Sequence, residues 1–199
     1  MNALARIQEV ARGRGLLMLL LTGLCLAGMG EIGRGLYVPA KAMVAQVLLD
    51  RAFERSLATH APQKPWAWAD MAPVARISAP RLGVTRVVLG SGSGQAMAFG
   101  PTLLPGAAAF GQPGTAVVAA HRDTHFSFLR DLHKGDVITV QTREGLQRRY
   151  RVIGSDVVRW DGYAVPELVA GERLDLVTCW PFDAVRRGPW RYILHAERI

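Results

Sequence analysis

Hydrophobic and polar positions divide the chain into a helical first third and a remainder of short strands. Residues 15–30 form an apolar run that contains no charged residue. From Leu36 to Ala58, apolar residues recur with helical spacing and polar residues fill the other face, which predicts an amphipathic helix. After Pro73 the chain consists of short β-type runs broken by Gly and Pro, and this pattern predicts strands.

Segments with the composition of strands follow one another along the part of the chain after Pro73. They are Val74–Ile77, Val84–Leu89, Thr115–Ala119, Val137–Gln141, Gln147–Ile153, Asp156–Arg159, Arg173–Thr178 and Trp190–Ala196. One short helix is predicted at Phe126–Leu132. Many strands with few helices and frequent turns predict a mostly β fold, a closed antiparallel or mixed barrel.

The apolar run is predicted to be a transmembrane anchor. Its residues 15–30 span roughly 24 Å as a helix, and extension to residue 33 brings it closer to a hydrocarbon core of about 30 Å. Arginines at positions 6, 12 and 14 precede it, so the N-terminus is expected in the cytoplasm and the rest outside. A cleavable signal peptide is the alternative, although no clean small-x-small cleavage site follows.

These patterns predict four parts of the chain. A basic cytoplasmic N-terminus at 1–14 is followed by the anchor at 15–33, an amphipathic helix with a Pro- and Trp-rich tether at 34–72, and the β domain at 73–199. Whether the amphipathic helix stands as a stalk, lies on the bilayer or packs against the domain stays open at this point. We expect a single-pass protein of the inner (cytoplasmic) membrane with a periplasmic domain.

The net charge of +8 arises from 24 Lys and Arg against 16 Asp and Glu. The basic residues are scattered, and no basic stripe has interleaved aromatic residues, so we expect no nucleic-acid partner. The charge is instead typical of a solvated surface beside anionic lipid.

Three polar residues stand at the ends of predicted strands. His121 follows one apolar strand, Cys179 follows another, and Arg191 opens the last. A thiol becomes a useful nucleophile when an imidazole holds its proton, and a cation can meet the oxyanion of a tetrahedral intermediate. Because Cys25 lies in the apolar run, Cys179 has no plausible disulfide partner. Its thiol is therefore expected either to have a chemical function or to be a small buried core residue.

Two longer motifs resemble the sortase family. VVAAHRDTHFSFLRDLHKGDVITV resembles the sortase segment in which a histidine is followed by a helix and a KGD turn, and LDLVTCWPF resembles the Leu-x-Thr-Cys signature. Arg191 lies twelve residues past the cysteine, where sortases place an arginine. KPWAWADMAPVARI, AFGP, AAHRDTHF and TCWPFDAV together resemble the Gram-negative class. The resemblance runs from about Lys41 to the C-terminus.

The resemblance implies an eight-stranded sortase-type β-barrel with short helices and a cysteine transpeptidase activity. Such an enzyme cleaves a C-terminal sorting signal of the Leu-Pro-x-Thr-Gly type, holds the protein as a thioacyl enzyme and passes it to an amine, here unidentified. By matching position, Cys179 would be the nucleophile, His121 the general acid and base, and Arg191 the oxyanion partner. Thr178 would orient the substrate or the arginine. A cysteine endopeptidase that uses water and a non-catalytic peptide-binding barrel remain alternatives.

Several residues near these three have two interpretations each. Trp180 is expected either to line the substrate groove or to fill core. Asp123 is expected to cap the helix that follows, or else to orient His121. Arg186 and Arg187 are rivals of Arg191 for the oxyanion, although solvated loop charges are the simpler interpretation. Arg122 and Asp123 directly after the histidine depart from the better-known pattern of the family.

The remaining candidates favour structural roles, and no cofactor is expected. The His-x3-His spacing of His121 and His125 does not place both on one helical face, so no metal site is predicted. His125 is expected to be a wall or capping residue, His133 a surface residue, and His60 and His195 structural. No acidic cluster predicts a calcium site, and residues 90–94 lack the Lys-Ser/Thr ending of a phosphate loop.

Overall fold

A computed structural model describes residues 3–90, 94–165, 171–186 and 188–199. The chain divides into two compact units, residues 1–44 and residues 45–199. The first helix, α1, has the bounds Ala3–Thr59 and contains Pro39. It therefore joins the predicted anchor and the predicted amphipathic helix, because the glycines between them lower helix propensity without ending a helix.

Within α1, the segment Leu17–Thr59 is long and apolar enough to cross a membrane. The apolar window in it has a mean hydropathy of 1.4, and none of it is buried against protein. The segment thus meets the length and composition of a membrane span, a test that a signal sequence also meets. The predicted boundaries of the anchor and the tether stay predictions.

The second unit contains eight strands in a closed barrel. The strands are β1 Pro73–Ala79, β2 Val84–Leu89, β3 Thr102–Leu103, β4 Gly114–Ala119, β5 Val137–Thr142, β6 Gln147–Arg159, β7 Glu172–Cys179 and β8 Trp190–Arg198. Around the barrel they run in the order β1-β2-β3-β4-β7-β8-β6-β5. The β2–β3 and β4–β7 pairs are parallel and the other neighbouring pairs are antiparallel. The predicted mostly β barrel is confirmed.

The predicted strands differ from the observed ones at two places. β3 was not predicted, because its two residues are too few to show alternation. The predicted segments at 147–153 and 156–159 are one strand, β6, whose register shifts between Val152 and Gly154. That irregularity interrupts the two-residue period and makes one strand read as two. The predicted helix at 126–132 is a 3₁₀ helix, Ser127–Asp131; another, Pro80–Leu82, follows β1, and a short helix, α2 Gly94–Met97, precedes β3.

Alternate strand residues fill the barrel. Leu174 and Leu176 of β7 are fully buried there with Leu194 and Ala196 of β8, and with Tyr150 of β6. Residues between them face outward, as the two-residue period of a strand requires. The same alternation directs Thr178 inward and Cys179 outward at the end of β7.

The last turns of α1 pack on the barrel, which resolves the open position of this part of the predicted amphipathic helix. Leu49 and Phe53 are fully buried in an apolar cluster with Met71, Val87 and Leu89. The guanidinium of Arg76 in β1 lies 4.4 Å from the ring centroid of Phe53. It also binds Glu54 at 2.8 Å. This part of α1 therefore belongs to the folded domain rather than to a free stalk.

Candidate active site

The register of two parallel strands brings His121 and Cys179 to one edge of the sheet. Thr115 pairs with Arg173 and Ala119 pairs with Val177, so paired residues of β4 and β7 are 58 positions apart. The same number of positions separates His121 from Cys179. The ladder continues past the strand end, where the Ala120 amide donates to the Val177 carbonyl at 3.1 Å. Both segments therefore leave the sheet side by side, about 4.8 Å apart.

Arg191 lies on the other side of Cys179. β7 and β8 are antiparallel, and their register places Cys179 directly opposite Arg191. The Cβ atoms of such pairs are about 4.5–5.5 Å apart, on the same face. The Arg191 Nη1 donates to the Gly188 carbonyl at 3.1 Å and to the Trp190 carbonyl at 2.9 Å. The thiol thus stands between a histidine and an arginine across three adjacent strand ends.

A cavity of about 500 Å³ opens at these strand ends. Its lining combines polar and apolar residues, namely Met97, Ala119, Ala120, His121, Arg122, Asp123, Val177, Thr178, Cys179, Gly188 and Arg191. Cys179 is half-buried and carries a free thiol, whereas His121 is exposed. A thiol, an imidazole and a guanidinium therefore share one opening. This arrangement suits an attack on a carbonyl carbon followed by proton transfer.

Thr178 ties the two strand ends together. It is 2% exposed, and its hydroxyl donates to the carbonyl of Ala120 at 2.8 Å. This hydrogen bond joins the residue before the histidine to the residue before the cysteine. The predicted substrate-orienting residue thus lies in the cavity wall with its hydroxyl bound to backbone.

Trp180 belongs to an aromatic group at the end of the barrel. Its ring stacks on Tyr192 with centroids 5.8 Å apart and meets Phe182 edge-on at 5.5 Å. Trp180 is not part of the cavity lining that the structure describes. Trp180 is half-buried, and its two interpretations stay predictions.

The predicted helix cap by Asp123 is wrong. The 3₁₀ helix Ser127–Asp131 has Phe126 at its N-cap position, and no side chain in the described residues 94–165 forms a capping hydrogen bond to it. The Asp123 carboxylate instead accepts a hydrogen bond from Nε of Arg122 at 3.0 Å. The neighbouring guanidinium of Arg122 thus binds the carboxylate in place of the backbone amides of the helix. The turn before the helix is closed by backbone, because the amide of Phe126 donates to the His121 carbonyl at 3.0 Å. Among the hydrogen bonds described for residues 94–165, none joins Asp123 to His121.

The rival arginines differ from Arg191 in position. Arg186 is exposed and stands outside the described cavity lining. Arg187, the other rival, lies outside the described residues. Among the arginines that the structure describes, Arg191 and Arg122 line the cavity.

The other histidines lie where structural roles would place them. His125 is half-buried, and burial lowers its pKa, as do the charges of Arg86 and His121. His133 is exposed, with Nδ1 3.3 Å from Arg81. Among the residues that the structure describes, no group of three or more His, Cys, Asp or Glu side chains has a geometry that could hold a metal ion.

His195 takes part in a polar network on the outer face of the barrel. Its Nδ1 lies 2.8 Å from buried Asp175, and its Nε2 lies 3.3 Å from Asp156. The hydroxyl of Tyr163 donates to the other oxygen of Asp175 at 2.5 Å. The hydrogen bond with Asp175 is the largest cause of a raised pKa at His195. The network fixes the start of the β6–β7 connection against β7, where Tyr163 packs on the cluster that contains Val177.

Arg122 and Met97 have long side chains in the cavity lining but had no functional interpretation from the sequence. Arg122 was noted only as a departure from the family pattern, yet it is 6% exposed and bonds the segment after Cys179. Met97 comes from α2, far from both motifs. Arg122 stands within the motif AAHRDTHF, but the sequence predicts no contact for either residue, because their places depend on contacts between distant segments.

Comparisons with known proteins match the part of the chain that forms this cavity. A family model described as the Sortase domain matches residues 77–199, which include His121, Cys179 and Arg191. Sortase D of Bacillus subtilis (strain 168) is 33% identical over 87 residues, which is 43% of this chain and 43% of that protein. The match thus spans under half the length of this curated relative.

Solved structures resemble the fold over a longer stretch. Sortase C-1 from Actinomyces oris is 25% identical with a TM-score of 0.58, covering 65% of this chain and 76% of that chain. A Clostridium perfringens Sortase D5 transpeptidase is 20% identical with a TM-score of 0.61, covering 79% of this chain and 99% of that chain. The second likeness concerns the fold alone.

Proposed function

The chain belongs to the sortase family, and from this premise we propose that it is a membrane-anchored cysteine transpeptidase with Cys179 as its nucleophile. The observation that carries the proposal is the register of β4, β7 and β8. It places Cys179 opposite Arg191 and level with His121. A thiol, an imidazole and a guanidinium at three neighbouring strand ends are the groups that acyl transfer requires.

The proposed reaction has two halves. The Cys179 thiolate attacks the scissile carbonyl carbon, and the negative charge that develops on the carbonyl oxygen is met by the guanidinium of Arg191. His121 gives a proton to the leaving amine as the C–N bond breaks, which leaves a thioacyl enzyme. His121 then takes a proton from an incoming amine, whose nitrogen attacks the thioester, and the thiolate leaves.

We propose a protein substrate with a C-terminal Leu-Pro-x-Thr-Gly-like sorting signal. The sequence resemblance supports this choice, and the cavity supports a peptide, because Met97, Ala119 and Val177 offer apolar walls beside the cations. The amine acceptor is a second substrate that the cavity lining does not identify. Thr178 would hold the two strand ends at a fixed separation during both halves of the reaction.

The location and class are also part of the proposal. An anchor at residues 15–33, preceded by arginines at positions 6, 12 and 14, would leave the barrel on the outer side of the inner membrane. The motifs AAHRDTHF and TCWPFDAV support the Gram-negative class. The orientation is tested with two C-terminal fusions, one to a reporter that is active only in the periplasm and one to a reporter that is active only in the cytoplasm. Activity of the cytoplasmic reporter would contradict the proposed orientation.

The activity is tested by intact mass spectrometry of the full chain in detergent. A Leu-Pro-x-Thr-Gly-type peptide should add an acyl mass to Cys179, and a small amine should remove it with release of an amine-capped product. Cys179→Ala should form no adduct, whereas Cys25→Ala, the matched control, should behave as the parent. Release of free acid alone despite added amine would indicate an endopeptidase, and an adduct on Cys179→Ala would contradict the assignment.

A further inference from the structure

Arg122 is a buried cation whose main partners are backbone carbonyls. Its Nη1 donates to the Pro181 carbonyl at 2.8 Å, and its Nη2 donates to the Ala184 carbonyl. The Nη2 also lies 3.5 Å from the carbonyl of Arg186, a longer and weaker contact. All three carbonyls belong to the connection that follows Cys179.

The one carboxylate bound to this guanidinium in the described residues offers little compensation for its burial. Asp123 accepts from Nε, but its side chain is 68% exposed, so water screens the pair. Arginine is almost never buried without partners, and here the carbonyl oxygens satisfy the charge. The fork of a guanidinium matches several acceptors at once, whereas a lysine ammonium is a point charge on a flexible stem.

Arg122 connects the two segments that carry His121 and Cys179. Arg122 directly follows His121, and the carbonyls that it binds begin two residues after Cys179. Thr178 joins the same two segments from the barrel side, through the Ala120 carbonyl. The histidine and the cysteine are therefore bracketed by one hydrogen bond before them and a group of hydrogen bonds after them.

We propose that Arg122 is a positioning residue that ties the segment after His121 to the segment after Cys179 and so holds the imidazole and the thiol in register. This role rests on the proposed transpeptidase function. Arg122 acts through His121 and Cys179, and Arg191 remains the partner of the oxyanion. A displacement of about 1 Å between reacting groups costs about 100-fold in rate, so loss of the tie is expected to lower kcat rather than weaken substrate binding.

The test compares Arg122→Met, Arg122→Lys and a control, Arg173→Met, in the full chain in detergent with Cys25→Ala throughout. Arg173 lies at the other end of β7, and its substitution removes a partly exposed ion pair with Glu197. Hydrogen exchange of peptides covering residues 179–190 is measured first. The conditions are chosen so that the parent and each variant have the same free energy of unfolding. Initial rates of peptide transfer then give kcat and KM separately.

We expect faster exchange of residues 179–190 in Arg122→Met, with kcat lower by about 100-fold and KM nearly unchanged. Arg122→Lys should recover little of either property, and Arg173→Met should match the parent. Unchanged exchange in Arg122→Met would overturn the proposal. Faster exchange with an unchanged kcat would also overturn it, since the contact would then be structural only.

Full recovery by Arg122→Lys would overturn the role of the fork. If the parent transfers no peptide at all, the proposed function fails, and the exchange measurement still decides whether Arg122 ties the two segments.

Discussion

Substitution of Phe53 by alanine tests whether the end of α1 belongs to the barrel domain. Phe53 is fully buried among Leu49, Met71, Val87 and Leu89, and its ring lies under the guanidinium of Arg76. Truncation of a buried phenylalanine costs about 3–5 kcal/mol. Loss of the cation–π contact at a partly exposed arginine adds about 0.5–1 kcal/mol.

The size of this effect can be compared with the stability of the folded unit. Domains have unfolding free energies of about 5–15 kcal/mol, so Phe53→Ala removes a large part of the total. For a unit of the size of residues 45–199, about 2–4 °C of Tm is lost per kcal/mol, so a loss of about 3.5–6 kcal/mol lowers the Tm by about 7–24 °C. A fragment that begins at residue 71 lacks Phe53 and Leu49 together and should be less stable still.

Thermal unfolding followed by circular dichroism measures this decrease in a fragment of residues 45–199. Val47→Ala is the matched control, because Val47 lies on the same helix and is 50% exposed, so its change should stay within about 0.5 kcal/mol. Equal Tm decreases in the two variants would refute the reasoning. So would a fragment of residues 71–199 that melts at the temperature of the longer fragment.

Three further predictions concern the site and the network behind it. Arg191→Met should lower kcat for peptide transfer by about 100- to 1,000-fold, measured by initial rates, and a decrease under threefold would exclude its oxyanion role. Thr178→Val should cost about 1–3 kcal/mol in urea unfolding, since the Ala120 carbonyl loses its buried donor, and an unchanged midpoint would contradict this. Asp175 raises the pKa of His195 in the folded state, so the stability that His195 contributes is full below about pH 6.5 and is lost as pH rises through the folded pKa. Urea unfolding of the parent and His195→Gln between pH 5 and 9 should show that decline, and a constant difference would contradict it.

The strands that could be predicted carry a clear run of apolar positions, which alternate with less buried positions in β1 and β5 and are buried at consecutive positions in β4 and β7. β1, β2, β4, β5, β7 and β8 were predicted to within two residues at each end, because each buries several apolar positions. β3 and the continuity of β6 were missed for local reasons, since one strand is too short for a pattern and the other is irregular between Val152 and Gly154. The total of eight was therefore correct although one strand was missing and another was counted twice.

The site shows a similar limit of sequence reasoning. Cys179, His121 and Arg191 carry motifs, and the structure brings them to one cavity. Arg122 stands within the motif AAHRDTHF, but the sequence assigns it no role, because its partners are backbone carbonyl groups about 60 residues further along the chain and any residue can supply a backbone carbonyl. Asp123 was assigned to the wrong partner because a cap and an ion pair with the preceding residue look alike in sequence.

Paired residues of β4 and β7 are 58 positions apart, and so are His121 and Cys179. The site therefore depends on the register of these two strands. A slip of one residue would turn Cys179 toward the barrel interior and Thr178 outward, since neighbouring strand residues face opposite sides. The same slip would separate the Thr178 hydroxyl from the Ala120 carbonyl and leave that carbonyl buried without a donor. Leu174 and Leu176 would move from the barrel interior to its outer face in the same slip. Burial of the barrel interior thus fixes the register, and the register places the thiol beside the imidazole, so that packing and the proposed chemistry depend on one alignment.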